Sequence, residues 1–153
     1  MITFLKAEEQ HQHSNGGGWV ANTAVVAASA YIGPDAWVSD NAQVCDNAWV
    51  CGDAQVYGDA CVCSHALVYS TAQVYGDAQV YGNARVYGDA RVYGNARVFG
   101  NARVYGNAQV CDNAWVCGDA RVYGDARVCD HARVYGQYAG APYSGPVAAQ
   151  EKI

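Results

Sequence analysis

Apolar and polar positions alternate along most of this chain, and the alternation itself repeats every six residues. In Ala90-Arg91-Val92-Tyr93 a small apolar, a charged, an apolar and an amphipathic residue follow in turn. That period of two predicts a half-buried strand with Ala and Val inward and Arg and Tyr outward. Gly94-Asn95 then supplies two residues that tolerate left-handed backbone angles, as a sharp corner requires. Each hexad, Ala-x-Val-x-Gly-Asp/Asn, thus predicts one short strand and one corner.

The regularity is unusually complete. Steps of six in both directions from Val86 give twenty positions from Val20 to Val134, nineteen of them Val and one Ile32. Two residues earlier, nineteen Ala run from Ala24 to Ala132, and Asp or Asn holds fourteen of the nineteen corner positions from Thr23 to His131. One hexad cannot bury its own face. Stacked coils can, and stacking also pairs each backbone N–H and C=O with the coil above or below. Val86, Val92, Val98, Ala90 and Ala96 are the expected centre of a narrow core. Burying a Val contributes about 1.5–3 kcal/mol and an Ala much less. Backbone pairing and uniform stacking must therefore share the stabilisation.

The run from Trp19 to Gly136, over three-quarters of the chain, resembles the hexapeptide-repeat family. The resemblance implies an all-β fold: a single-stranded left-handed parallel β-helix of triangular section, with about six coils of three hexapeptides. The period alone does not fix three hexads per coil. The lead-in Gly16-Gly17-Gly18-Trp19-Val20 is also similar to uncharacterised bacterial and prophage proteins of this type, often labelled transferase-like.

This reading divides one domain into residues 1–18, an N-terminal flank able to cover an open end, the solenoid at 19–136, and a tail at 137–153. The tail breaks the register and contains Pro142 and Pro146, so it is expected to be irregular and is a second candidate cover. Uncovered ends are bare strand edges that invite pairing.

Enzymes of the resembled family are mostly acyltransferases. They typically act as trimers, with a histidine base near a loop thrown out of the solenoid and an acyl-CoA site between subunits. Here His65 and His131 hold corner positions and are the candidate bases of that alternative. No insertion interrupts the repeat from Ala24 to Val134, and an unbroken prism offers little concavity for a cofactor. The expectation is therefore no catalytic residue and no cofactor. A duplication supports it: Asn41–Ala66 and Asn107–Ala132 differ only at Gln55/Arg121, Cys61/Arg127 and Ser64/Asp130. Their offset of eleven hexads is not a multiple of three, so the second copy should lie on another face and His65 and His131 should not meet.

The seven cysteines occupy outward slots. Cys45, Cys61 and Cys63 should share one face, which makes them candidate metal ligands, although zinc wants about four donors. The plainer reading is that they are small fillers beside aromatic ladders. With eighteen residues per coil, Tyr57, Tyr75 and Tyr93 should stack on one face, and Tyr69, Tyr87, Tyr105 and Tyr123 on another. Tyr81 and Phe99 should begin a third ladder, and Arg97, Trp115 and Arg133 should form a cation–π sandwich. Tyr, Trp and Arg are also favoured at protein interfaces.

Charge adds one asymmetry. From Trp19 to Asn83 there are six Asp and no Lys or Arg, whereas Ala84 to Gly136 holds five Asp and seven Arg. The net charge of −5 gives no chain-wide signal for nucleic acid. No apolar run is long enough for a spanning helix. The first ten residues lack a secretory pattern, so with seven cysteines the expected setting is a reducing cytoplasm. The reading that follows is a non-enzymatic scaffold that self-associates. Alternatives are an acyltransferase and a binder of anionic polymer along the Arg/Tyr half.

Overall fold

The computed structural model describes residues 9–135 and, beyond them, the backbone of the strands Gln137–Ala139 and Pro142–Ser144. It is an all-β parallel solenoid of about six turns. Its strands form three sheets, one per face, and each coil pairs with the coil eighteen residues on. The first face runs from Trp19–Ala21, the second from Val25–Val26 and the third from Tyr31–Ile32. Most strands are two residues long, one outward residue and one Val, as in Arg91–Val92.

The inward row is the expected one. Val86, Val92, Val98, Ala90 and Ala96 are fully buried, as is each Val of the row from Val38 to Val134. Ala90, standing just after the corner, is as buried as the Val of its hexad, so nothing larger fits there without displacing the opposite walls.

The backbone ladder does not stop at the corners. Tyr87 N donates to Val104 O and Asp89 N to Gly106 O, and Ala90 N closes the corner onto Tyr87 O at 3.4 Å. From Asp40 to Asp130 each corner places a left-handed residue at the same point, whereas the three corners before them, at Asn22, Ala28 and Pro34, do not. Gly76 has φ 68°, and a Cβ there would meet Gly94 N at 2.9 Å. Six corners place Asp or Ser in this conformation instead, which costs about 1 kcal/mol each. Three of the aspartates have a compensating bond. The Oδ2 atoms of Asp40, Asp46 and Asp112 accept from the corner N–H of Gly58, Ser64 and Asp130, one coil on, at 3.0, 3.2 and 3.1 Å.

The N-terminal flank covers part of the first coil. Gln10–Gln12 pairs antiparallel with Trp19–Ala21. His13, only 7% exposed, places Nε2 2.8 Å from Ala30 O, and Asn15 Nδ2 donates to the same carbonyl at 3.1 Å. Gly18 N donates to Ile32 O, and a Cβ on Gly18 would lie 2.3 Å from Ile32 Cγ2. Close approach to Ile32 accounts for Gly16 and Gly18, and a φ of 83° accounts for Gly17. The first and third faces thus gain partners at this end. On the second face, among the described residues, the ladder starts at Val25–Val26, and Val25 is 64% exposed.

The C-terminal end corrects the sequence reading. The tail expected to be irregular from Gln137 onward adds two more ladder strands, Gln137–Ala139 under Arg121–Tyr123 and Pro142–Ser144 under Arg127–Cys129. Pairing with the preceding coil overrides the loss of the Ala/Val pattern. Pro142 stands at the start of its strand, where a missing N–H is tolerated. The rest of the tail, including Pro146, and residues 1–8 lie outside the described residues.

A test of the inward row follows. Val92→Asp places an unpaired carboxylate in a fully buried slot, a loss on the order of 4 kcal/mol, whereas Arg91→Gln on the surface should change stability by less than about 0.5 kcal/mol. Equal melting temperatures for the two variants would contradict the inward and outward assignment.

Candidate functional site

The outward slots carry three kinds of chemistry, each stacked by the register of eighteen. The aromatic ladders come first. Tyr57, Tyr75 and Tyr93 stack on the first face with centroids 4.8 and 5.0 Å apart. On the third face Tyr69, Tyr87, Tyr105 and Tyr123 stack at 4.8, 4.9 and 5.3 Å. Tyr81 and Phe99 stack at 5.0 Å on the second. The rings are almost parallel because the strand beneath them sets both spacing and rotamer. Trp115 lies between two cations, with Arg133 4.5 Å and Arg97 5.4 Å from its ring.

A charged column runs beside the third-face Tyr ladder. Arg85, Arg103 and Arg121 stand in register on consecutive coils. The N-terminal part of the same face instead exposes Tyr31, Trp49 and Leu67 at the equivalent slots, and Trp49 is 48% exposed.

The duplicated segment turns by one face, as its eleven-hexad offset requires. Gln43–Val44 and Cys61–Val62 belong to the second face, and their counterparts Gln109–Val110 and Arg127–Cys129 to the first. His65 and His131 therefore sit in corners that follow different faces, both exposed. The structure does not bring them together. The backbone N–H of His65 simply continues the ladder to Gly82 O.

The cysteines are more closely grouped than their spacing suggests. The sulfurs of Cys45, Cys61 and Cys63 all lie within 4.8 Å of one another, with Cys61 Sγ 3.9 Å from Cys63 Sγ. Cys45 stands directly over Cys63, one coil away. Cys61 reaches them from the neighbouring outward slot of Cys63's own strand. Burial, with the adjacent Cys63 adding to it, pushes the Cys45 thiol up to about 12 and the Cys61 thiol up to about 11. A second group, Cys111, Asp112 and Cys129, occupies the duplicated position. There Arg127 stands where the first copy has Cys61, and it bonds toward Tyr93 and Cys111.

His13 is a structural residue that periodicity could not reveal, because it precedes the repeat and its partner is a backbone carbonyl seventeen residues away.

Comparison with known proteins places these coils in context. A family model described as YdcK beta solenoid repeat matches residues 42–58, 78–94, 90–106, 96–112, 108–124, 114–130 and 120–137. Each match begins on an inward Ala, and together they span just over half of the chain. The description is of a β-solenoid repeat and carries no transferase label, unlike the resemblance of the glycine lead-in. No curated protein matches the chain.

The raised thiols have a measurable consequence. The thiolate is the nucleophile, so a thiol whose pKa is raised stays protonated and unreactive at neutral pH and gains reactivity only as pH climbs toward that value. In reduced, chelator-treated protein at pH 8, Cys45 and Cys61 should alkylate with iodoacetamide at least about tenfold more slowly than in the denatured chain. Their rates should still be rising above pH 10. Peptide mass spectrometry reads both, and native rates equal to denatured ones would contradict the environment described.

Proposed function

Because the chain belongs to the YdcK β-solenoid repeat family, we propose that it is a non-enzymatic structural solenoid that associates with further copies of itself. The observation that carries this reading is the unbroken sequence of coils, with Tyr and Arg aligned in register on the outer faces. A prism of this kind spends its sequence on presenting flat, ordered surfaces. Tyr, Trp and Arg are the side chains that most favour protein contact there. The third face is the first choice of interface, since it joins the longest Tyr ladder to exposed Trp49. Tyr57, Tyr75 and Tyr93 on the first face and the Arg97–Trp115–Arg133 sandwich on the second offer further surfaces. In this reading the coil is left-handed, the chain resides in a reducing cytoplasm and it needs no cofactor.

The register of Arg85, Arg103 and Arg121 favours a second reading, in which the basic half grips an anionic polymer. Binding of that kind would weaken steeply with salt. The acyltransferase alternative would place acyl-CoA between subunits beside His65 or His131.

Light scattering coupled to size exclusion should show a homo-oligomer. Tyr87→Ser combined with Tyr105→Ser should shrink it, while loss of two stacked rings lowers stability by only about 1–3 kcal/mol. A parent that is monomeric at every concentration would sink the proposal. In a separate thermal-shift measurement acetyl-CoA should leave the parent's melting temperature unchanged. A stabilisation that disappears in the His65→Ala, His131→Ala double variant would replace the scaffold with the enzyme.

A further inference from the structure

We propose that Cys45, Cys61 and Cys63 form a three-sulfur site for one soft monovalent cation, Cu(I), on the second face of the solenoid. Three observations converge on it. First, the sulfurs are already close together. Three thiolates about 2.3 Å from a common ion lie about 3.8–4.0 Å from one another, and the structure sets one pair at 3.9 Å and all three within 4.8 Å. The remaining gap is under about 1 Å, a distance that rotation about a cysteine Cα–Cβ bond can span.

Second, the frame is rigid. Cys61 and Cys63 flank the fully buried Val62, and Gln43 and Gln79 stand in register above and below Cys61. Cys45 and Cys63 are held on adjacent coils by the bond from Cys45 N to Val62 O at 2.9 Å. A site whose donors are fixed before the ion arrives loses little freedom on binding. Third, Cys45, Cys61 and Cys63 are not in disulfides, so these sulfurs are available as ligands.

The donor set selects the ion. Thiolates favour soft metals, Cu(I) and zinc among them. Structural zinc takes four protein ligands, whereas the grouped donor atoms here are three sulfurs. Three sulfurs around a point are the trigonal arrangement that Cu(I) accepts. Binding forms Cu–S bonds and releases the thiol protons to solvent, with no change of oxidation state.

The chain also contains its own contrast. The duplicated segment keeps Cys111 and Cys129 at the positions of Cys45 and Cys63, but Arg127 replaces Cys61. The third donor grouped there is the Asp112 carboxylate, a hard ligand that suits Cu(I) poorly, and the fixed positive charge of Arg127 repels a cation, so the second copy should be silent. Because Arg is already accommodated in that setting, Cys61→Arg is a substitution the fold should accept, and Arg127→Cys restores the sequence of the first copy.

The test is anaerobic titration of the reduced full-length protein with Cu(I) against a chromophoric Cu(I) chelator, with circular dichroism melting to verify that each variant is folded. One tightly held equivalent in the parent, none in Cys61→Arg and two in Arg127→Cys is the expected series. Zn(II), titrated in parallel against its own chelator, should be held at least tenfold more weakly than Cu(I). A parent that binds no Cu(I), or a folded Cys61→Arg variant that still binds it, overturns the site. An Arg127→Cys variant that stays at one equivalent overturns the role given to Arg127, and zinc held as tightly as Cu(I) overturns the choice of ion.

Discussion

From Trp19 to Val134 each coil of this protein hydrogen-bonds to the next in a fixed register of eighteen residues, and the other features depend on that constraint. A parallel ladder between identical short strands tolerates no slip, since a shift of one residue would turn every Val outward and every Arg or Tyr inward. The bonds at the corners tighten this further. Asp89 N reaches Gly106 O just as Tyr87 N reaches Val104 O, so corner and strand share one uninterrupted ladder. The narrow Val and Ala core then needs only to be uniform. Its small side chains contribute modestly one by one, and their sum is secured because the Ala and Val rows continue unbroken from Ala30 to Val134.

The corners show what the register demands of local chemistry. From Asp40 to Asp130 a left-handed residue stands at the same point of every corner, and glycine supplies it at little cost. At Asp40, Asp46 and Asp112 the carboxylate reaches forward to the corner N–H one coil on, so part of the strain is offset by a bond that glycine cannot make. Asp46 and Asp112 do this at equivalent points of the two duplicated segments. The duplication therefore carried its corner chemistry with it even though it moved to a different face.

Because the frame is repetitive, specificity resides in single outward slots. The same cysteine pair occurs twice, on two faces, and one exchange between Cys61 and Arg127 separates a group of three sulfurs from a pair of sulfurs beside a cation. The tyrosine ladders work differently: no single ring matters much, and the surface property belongs to the row. A solenoid can thus combine an extended surface for association with one localised chemical site without altering its backbone.

Period, strand content, the inward row and the aromatic stacks were legible in the amino-acid order, because all of them follow from residues six or eighteen apart on a regular frame. Trp115 between Arg97 and Arg133 could be placed from spacing alone for that reason. That three hexads close one coil was not legible from the period, and it is the strand pairing that settles it. What lay outside the repeat was also hidden. The peg of His13 under Ala30 and the two strands after Gly136 depend on contacts with a coil already formed, which local pattern does not encode. The thiol group is intermediate: its shared face was readable, but the convergence of Cys61 on Cys63 and Cys45 depends on side-chain rotamers above a folded strand. Periodicity determines where a residue stands on such a frame, and only the packed structure decides which atoms meet.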